Sequence, residues 1–275
     1  MRRINNILEE TPEISNQTDN PFMGVIKGQV DLKRVTFHYP KEKVPALNTI
    51  SLSIDAGKTA AIVGGVGSGK STLLQILPRL IETERNMVQI DGIPIHDRDL
   101  NHLRASIGFV TQEAHIFSDT IVNNIIFGRE GVSEDHMKRI LEISQLSADI
   151  NAFPEGIHSV LGERGITLSG GQRQRLTIAR ALIADPPILI LDDALSQVDT
   201  RTEAAILQGI LEMRQGKTNI IVSHRLSTIR RANIIFVLKD GQLAEQGVHT
   251  ALLKAKNEYA RLYRRQQLSE ELESF

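Results

Sequence analysis

Residues 59–80, TAAIVGGVGSGKSTLLQILPRL, decide the fold of this chain. Residues 59–63 are short, apolar and free of charge, which predicts a buried strand. Residues 64–71, GGVGSGKS, fit the pattern G-x-x-x-x-G-K-[ST], whose backbone amides cradle phosphate oxygens while its lysine and hydroxyl serve the terminal phosphate and a Mg²⁺ ion. Leu73, Leu74, Leu77 and Leu80 then recur at helical spacing. The four fixed positions alone arise by chance in roughly one percent of chains of this length, so the order strand, glycine loop, helix carries the reading.

On either side of this stretch the chain alternates strands and helices. Residues 29–37 and 50–54 show the period of half-buried strands, and 87–90 and 107–111 add two more. From about 113 to 165 the pattern turns helical, with Ile121 and Ile125, then Met137, Ile140 and Leu141, broken by Pro154 and Gly156. A helix is predicted over 172–184, an apolar strand over 188–191, and further strands over 218–223 and 234–238. Asp240-Gly241 signals a hairpin and 257–271 a charged terminal helix. Such alternation predicts an α/β fold with a mainly parallel sheet covered by helices. Residues 1 to about 27 are mostly polar, with an amphipathic turn at Ile4, Ile7 and Leu8, and read as a linker.

With 275 residues and 41% hydrophobic content the chain can bury one large core. No apolar run reaches the 18 or so residues of a membrane helix, and MRRINNILEE lacks a secretory apolar segment, so a soluble domain is expected. The absence of cysteine excludes disulfides, thiolate metal sites and cysteine nucleophiles. Lys plus Arg number 32 against 33 for Asp plus Glu; the net charge of -1 offers no global attraction to nucleic acid, although Arg173, Arg175 and Arg180 could form a local basic patch.

Two further stretches carry chemistry. In LSGGQ, 168–172, Ser169 and the amides of Gly170 and Gly171 precede a helix, presenting donors and the positive dipole end to an anion. The strand ILIL ends in Asp192-Asp193, oxygen donors of the kind a hard cation takes. In this order, phosphate loop, LSGGQ and acidic strand end make the chain similar to the nucleotide-binding domain of ABC transporters, of the exporter type, from about residue 28 to the C-terminus.

The resemblance implies a P-loop NTPase (RecA-like) core with a mainly parallel sheet, an N-terminal antiparallel β subdomain, and an inserted α-helical subdomain at about 113–170 carrying LSGGQ. The domain would span 28–275, with 1–27 a linker following a transmembrane domain. ATP would lie on Gly64, Gly65, Val66, Gly67, Ser68, Gly69, Lys70, Ser71 and Thr72, with Tyr39, at the end of VTFHY, stacking on adenine. Mg²⁺ would be held by Ser71, Asp192 and Gln112, the last also contacting attacking water and coupling to the transmembrane domain. His224, in IVSHRL, would contact the γ-phosphate, and Lys70, Gln112, Asp193 and His224 would form the catalytic set. Ser169, Gly170, Gly171 and Gln172 would face the ATP of a partner subunit across a head-to-tail dimer, with Asp199 of ALSQVD at that interface. Residues 117–121 and LGERG, 161–165, resemble surfaces that touch the transmembrane domain.

Asp193 departs from the family pattern, which places glutamate there to orient or deprotonate the attacking water. Aspartate is one methylene shorter, withdrawing the carboxylate by about 1.5 Å. A misplacement of about 1 Å can cost about a hundredfold in rate, or nearly 3 kcal/mol of barrier. The chain thereby resembles the degenerate half of heterodimeric exporters, and LDDALSQVDTRTE, 191–203, and RLYRRQQLSEEL, 261–272, resemble multidrug half-transporters of the MdlA type. Expected partners are the transmembrane domain of the same half-transporter and a second half-transporter, at the cytoplasmic face of the membrane, with no nucleic acid. Two readings stay open: an ATPase with a weakened base, and a nucleotide-gated binding module that hydrolyses essentially nothing. A separately encoded ATPase subunit is the alternative to a domain of a longer chain. Chromosome and DNA-repair ATPases, which also use LSGGQ, need a long coiled-coil insertion that 113–167 cannot hold.

Overall fold

The structure, a computed structural model, describes residues 12–18, 20–162, 165–223 and 225–273. Strands β1 (Val30–Phe37) and β2 (Leu47–Ile54) pair antiparallel, with Val30 opposite Ile54, and turn Val30, Leu32, Val35, Ile50, Leu52 and Ile54 inward. β3 (Thr59–Gly64) enters the glycine loop, from which α1 (Lys70–Ile76) leaves. β4 (Val88–Ile90) and β5 (Ile93–Pro94) return to the first sheet, whose order among the described residues is β2-β1-β4-β5. This is the expected N-terminal antiparallel layer. After α2 (Leu100–Ala105), β6 (Ile107–Val110) starts the far edge of the second sheet.

The helical segment contains α3 (Ile121–Ile126), α4 (Glu134–Ile143) and α5 (Ser147–Ala152), and is followed by α6 (Gly170–Ile183), which leads into β7 (Ile188–Asp192). The segment is no separate body. Ile121, Ile125, Ile140 and Ile150 share one apolar cluster with Leu176 and Leu182 of α6 and with Leu189 and Leu191 of β7. Then come α7 (Thr200–Met213), β8 (Thr218–Val222), α8 (Leu226–Ile229), β9 (Ile234–Lys239), β10 (Gln242–Gly247), α9 (His249–Ala255) and α10 (Glu258–Glu273).

The second sheet has the order β10-β9-β3-β8-β7-β6 among the described residues. β9, β3, β8, β7 and β6 run parallel, and β10 is antiparallel to β9. Every residue of β3, β7 and β8 is buried, as a parallel sheet covered on both faces requires. The hairpin between β9 and β10 turns on Asp240 (φ 49°) and Gly241 (φ 74°), two positive φ angles in succession, the requirement of a tight hairpin turn.

Part of the stretch read as a linker lies against the domain. At its end the Lys27 N–H donates to the Asp91 carboxylate at 2.7 Å, beside the amides of Gly28 and Gln29 at the start of the domain (3.0 and 2.8 Å). Phe22 N–H donates to Asp97 O at 2.8 Å, and the Arg79 guanidinium to Ser15 O at 3.2 Å. Ile4, Ile7 and Leu8 fall outside the described residues. Among those described, no helix is long and apolar enough to cross a membrane.

Candidate active site

Because β3, β8, β7 and β6 are parallel neighbours, their C-terminal ends open on one edge of the sheet, where ligands of such folds bind. That edge gathers the glycine loop after β3, Ser223 after β8, Asp192-Asp193 at the end of β7 and Gln112 beyond β6. Gln112 is exposed. His224 lies outside the described residues, as do Glu163 and Arg164 of LGERG.

The loop needs glycine for two different reasons. At Gly64 a Cβ would stand 2.3 Å from Leu238 O, and at Gly69, where φ is 95°, 2.5 Å from Ala46 O, so both are fixed by neighbouring backbone. At Gly67 (φ 77°) and Gly65 a Cβ would meet open space; conformation decides at Gly67, and the loop there faces outward. Val66 is wholly exposed while Ser68 is buried. Lys70 Nζ donates to the carbonyls of Gly64 (3.0 Å) and Gly65 (2.8 Å). Burial lowers the Lys70 pKa, and the nearby charges of Asp192 and Asp193 oppose that shift.

Ser71 is exposed at the first turn of α1, and Asp192 is buried at the last position of β7. A hydroxyl and a carboxylate are hard oxygen donors that suit Mg²⁺, which takes one or two protein oxygens and completes its shell with phosphate and water. These residues would hold the ion, whose chemistry is to neutralise charge on the phosphates. Thr72 Oγ1 lies 3.1 Å from the Tyr39 hydroxyl. The Tyr39 ring stands edge-on to Phe37 with centroids 5.0 Å apart and keeps 40% of its surface exposed, at the lip of the phosphate loop.

Asp193 has a left-handed backbone (φ 48°). Its N–H donates to Val222 O at 3.1 Å and its carbonyl accepts from Ser196 N–H at 3.3 Å, so the main chain is tied on both sides. The segment 194–199 then passes directly over LSGGQ. A Cβ on Gly170 would meet the end of the Gln197 side chain, Oε1 at 2.0 Å, and one on Gly171 would meet the Gln197 main-chain O at 2.9 Å, so at Gly171 the approach is set by backbone. Ser169 caps α6 in a reciprocal box, its Oγ accepting from Gln172 N–H (3.2 Å) and the Gln172 Oε1 accepting from Ser169 N–H (2.9 Å). Gln172 Nε2 also donates to Asp149 at 2.7 Å.

Sequence reasoning missed the residues that hold this arrangement. Gln174 is buried on α6, donates to Ser196 Oγ (3.0 Å) and accepts from Gln197 N–H (2.8 Å). Glu203 is buried on α7 beside Arg225 and Thr228. The basic patch suggested by Arg173, Arg175 and Arg180 does not form. Arg173 donates to Leu168 O, Arg175 pairs with Asp149, and Arg180 donates to His115 O and Asn124 O with its guanidinium over the rings of both Phe117 and Phe127.

The profile of the ABC transporter family matches residues 47–196. The chain is 42% identical over 260 residues to the "Uncharacterized ABC transporter ATP-binding protein YwjA" of Bacillus subtilis (strain 168), covering 94% of this chain and 45% of that protein. It is 41% identical over 265 residues to the "ATP-dependent lipid A-core flippase" of Desulfotalea psychrophila (strain LSv54 / DSM 12343), covering 96% of this chain and 46% of the flippase. Among solved structures, that of a bacterial Atm1-family ABC exporter with ATP bound superposes with a TM-score of 0.91 at 37% identity, over 97% of this chain and 47% of the exporter chain. The chain thus spans under half the length of these relatives.

Proposed function

Because this chain belongs to the ABC transporter family, as an ATP-binding domain, we propose that it powers an exporter, with hydrolysis at its own phosphate loop slowed by Asp193. One observation carries the slowed step: the backbone of Asp193 is bonded on both sides, to Val222 and to Ser196, so the chain cannot advance to make up for the missing methylene. In this reading the loop amides and Lys70 bind the β- and γ-phosphates, Ser71 and Asp192 hold Mg²⁺, and Tyr39 carries adenine. Asp193 orients water from too far back, and Gln112 and His224 complete the set.

The intact LSGGQ supports a second role, completing the ATP site of a partner through Ser169, Gly170 and Gly171. A site weakened on one side and a signature intact on the other suit a heterodimeric exporter of the MdlA multidrug type. Its second half-transporter carries the competent base, and the transmembrane domain of its own half stands at the cytoplasmic face of the membrane. Its cargo in this reading is lipids or small, drug-like molecules, and the lipid A-core flippase among the relatives supports the first of these.

The test is Mg²⁺-ATP turnover of the wild-type chain beside Asp193→Glu, with ATP affinity measured for both. The reading expects turnover to rise by up to about a hundredfold at unchanged affinity. Equal, negligible turnover with tight binding in both would sink the slowed-base reading and leave the nucleotide-gated binding module.

A further inference from the structure

Behind Asp193 lies a cavity of about 160 Å³, lined among others by Asp193, Ser196, Glu203, Ser223, Arg225 and Thr228. Glu203 comes from the first turn of α7 and is 2% exposed. One of its carboxylate oxygens accepts from Thr228 Oγ1 at 2.9 Å, and the other is bonded to the Arg225 guanidinium. The same guanidinium donates a second bond, at 2.6 Å, to the carbonyl of Val198, and the Arg225 N–H donates to Ser223 Oγ at 3.0 Å. A single planar fork therefore joins three segments: 225–228 after β8, the stretch 194–199 over LSGGQ, and α7.

We propose that Glu203 and Arg225 are positioning residues, a clamp that locks the segment flanking His224 to the 194–199 segment, so that the two sides of the hydrolytic site move as one unit. The proposal rests on reading Asp193 and its neighbours as the ATP site. Neither side chain need touch nucleotide. The clamp is directional because it needs both arms of the fork: the ion pair to Glu203 anchors Arg225 to α7, and the bond to Val198 O transmits that anchorage to the segment carrying Ser196 and Gln197. These two residues are in turn tied to the signature helix by Gln174. A shift after β8 would so be felt at the surface expected to face the partner's ATP.

The test compares the wild-type chain with Arg225→Lys and Glu203→Gln by amide hydrogen exchange, with turnover read in an Asp193→Glu background. Lysine keeps the charge opposite Glu203 but lacks the planar fork that reaches Val198 O as well. Arg225→Lys is expected to speed exchange about tenfold in 194–199 and in 225–229 together, leaving β3 and α1 as in the wild type. It should also lower kcat about tenfold at unchanged KM for ATP. Glu203→Gln keeps the shape and the Thr228 bond, and should loosen the same two segments to a smaller extent. Wild-type exchange in Arg225→Lys, loosening confined to 225–229, or uniform acceleration across the whole domain would each overturn the clamp. If Asp193→Glu itself fails to raise turnover, the reading of Asp193 falls, while the exchange pattern still decides the clamp.

Discussion

Tyr39 and Gly171 show how much single atoms decide at this site. Tyr39 hangs from Phe37 by an edge-on contact and reaches Thr72 through its hydroxyl, leaving one ring face for a base. Stacking needs the ring and not the hydroxyl. Tyr39→Phe should therefore keep ATP affinity within about threefold, while Tyr39→Ala should weaken it by about ten- to a hundredfold, the range of base stacking on an aromatic side chain. Titration calorimetry reads both, and equal losses in the two variants would show that the hydroxyl matters and the ring face does not. Gly171 sits under the Gln197 carbonyl, where a Cβ would stand at 2.9 Å. Backbone cannot yield as a side-chain end can, so Gly171→Ala should displace 194–199 and reduce turnover while ATP binding to the phosphate loop stays unchanged. The motif glycines were legible in the sequence as a pattern, but the reason for Gly170 and Gly171, the passage of Gln197 above them, exists only in the fold.

At the level of elements, helix caps tie the site segments to their helices. Asp199 caps α7 by accepting from Thr202 N–H at 3.0 Å, and this bonding holds its carboxyl below the usual aspartate range. A carboxyl whose pKa is depressed on folding adds stability above the unfolded pKa and loses it as pH falls through the folded value. Asp199→Asn keeps the cap without the titration, so its stability deficit relative to wild type should shrink on acidification below about pH 4, whereas Asp199→Ala, which loses the cap itself, should stay destabilised at low pH as well. Urea unfolding at several pH values checks both. Gln174→Ala strips two hydrogen bonds from the 194–199 segment inside the protein, and a loss of about 1–3 kcal/mol is expected from the same measurement. The central strands were readable because residues buried on both faces form unbroken apolar runs, as in ILIL, and Asp240-Gly241 announced its hairpin. β10, by contrast, reads QLAEQG: an edge strand held by backbone pairing to β9 leaves little side-chain signal. Gln174, Glu203 and Arg225 escaped for a related reason, since polar residues in a helix or loop look like solvent-facing positions until long-range packing buries them.

For the molecule as a whole, the phosphate loop and LSGGQ pose a question of pairing. The glycine loop exposes Gly65, Val66 and Gly67 outward, an arrangement suited to being covered, and a net charge of -1 gives little long-range steering, so association should depend on nucleotide more than on salt. If each ATP is held by the phosphate loop of one copy and LSGGQ of another, defects in the two motifs must complement. In the Asp193→Glu background, Lys70→Met should abolish turnover by spoiling the chain's own loop, and Ser169→Arg should abolish it by blocking the surface offered to a neighbour. In a mixed pair both defects fall in one composite site, where the loop of the Lys70→Met chain faces the LSGGQ of the Ser169→Arg chain. A mixed pair therefore retains one intact composite site, formed by the loop of the Ser169→Arg chain and the LSGGQ of the Lys70→Met chain. Random pairing makes half the dimers mixed and leaves one of two sites in each, so an equimolar mixture should regain about a quarter of the parental rate. A mixture as inactive as either component would mean that each chain works through its own two motifs or pairs differently, and the head-to-tail arrangement would fall with it.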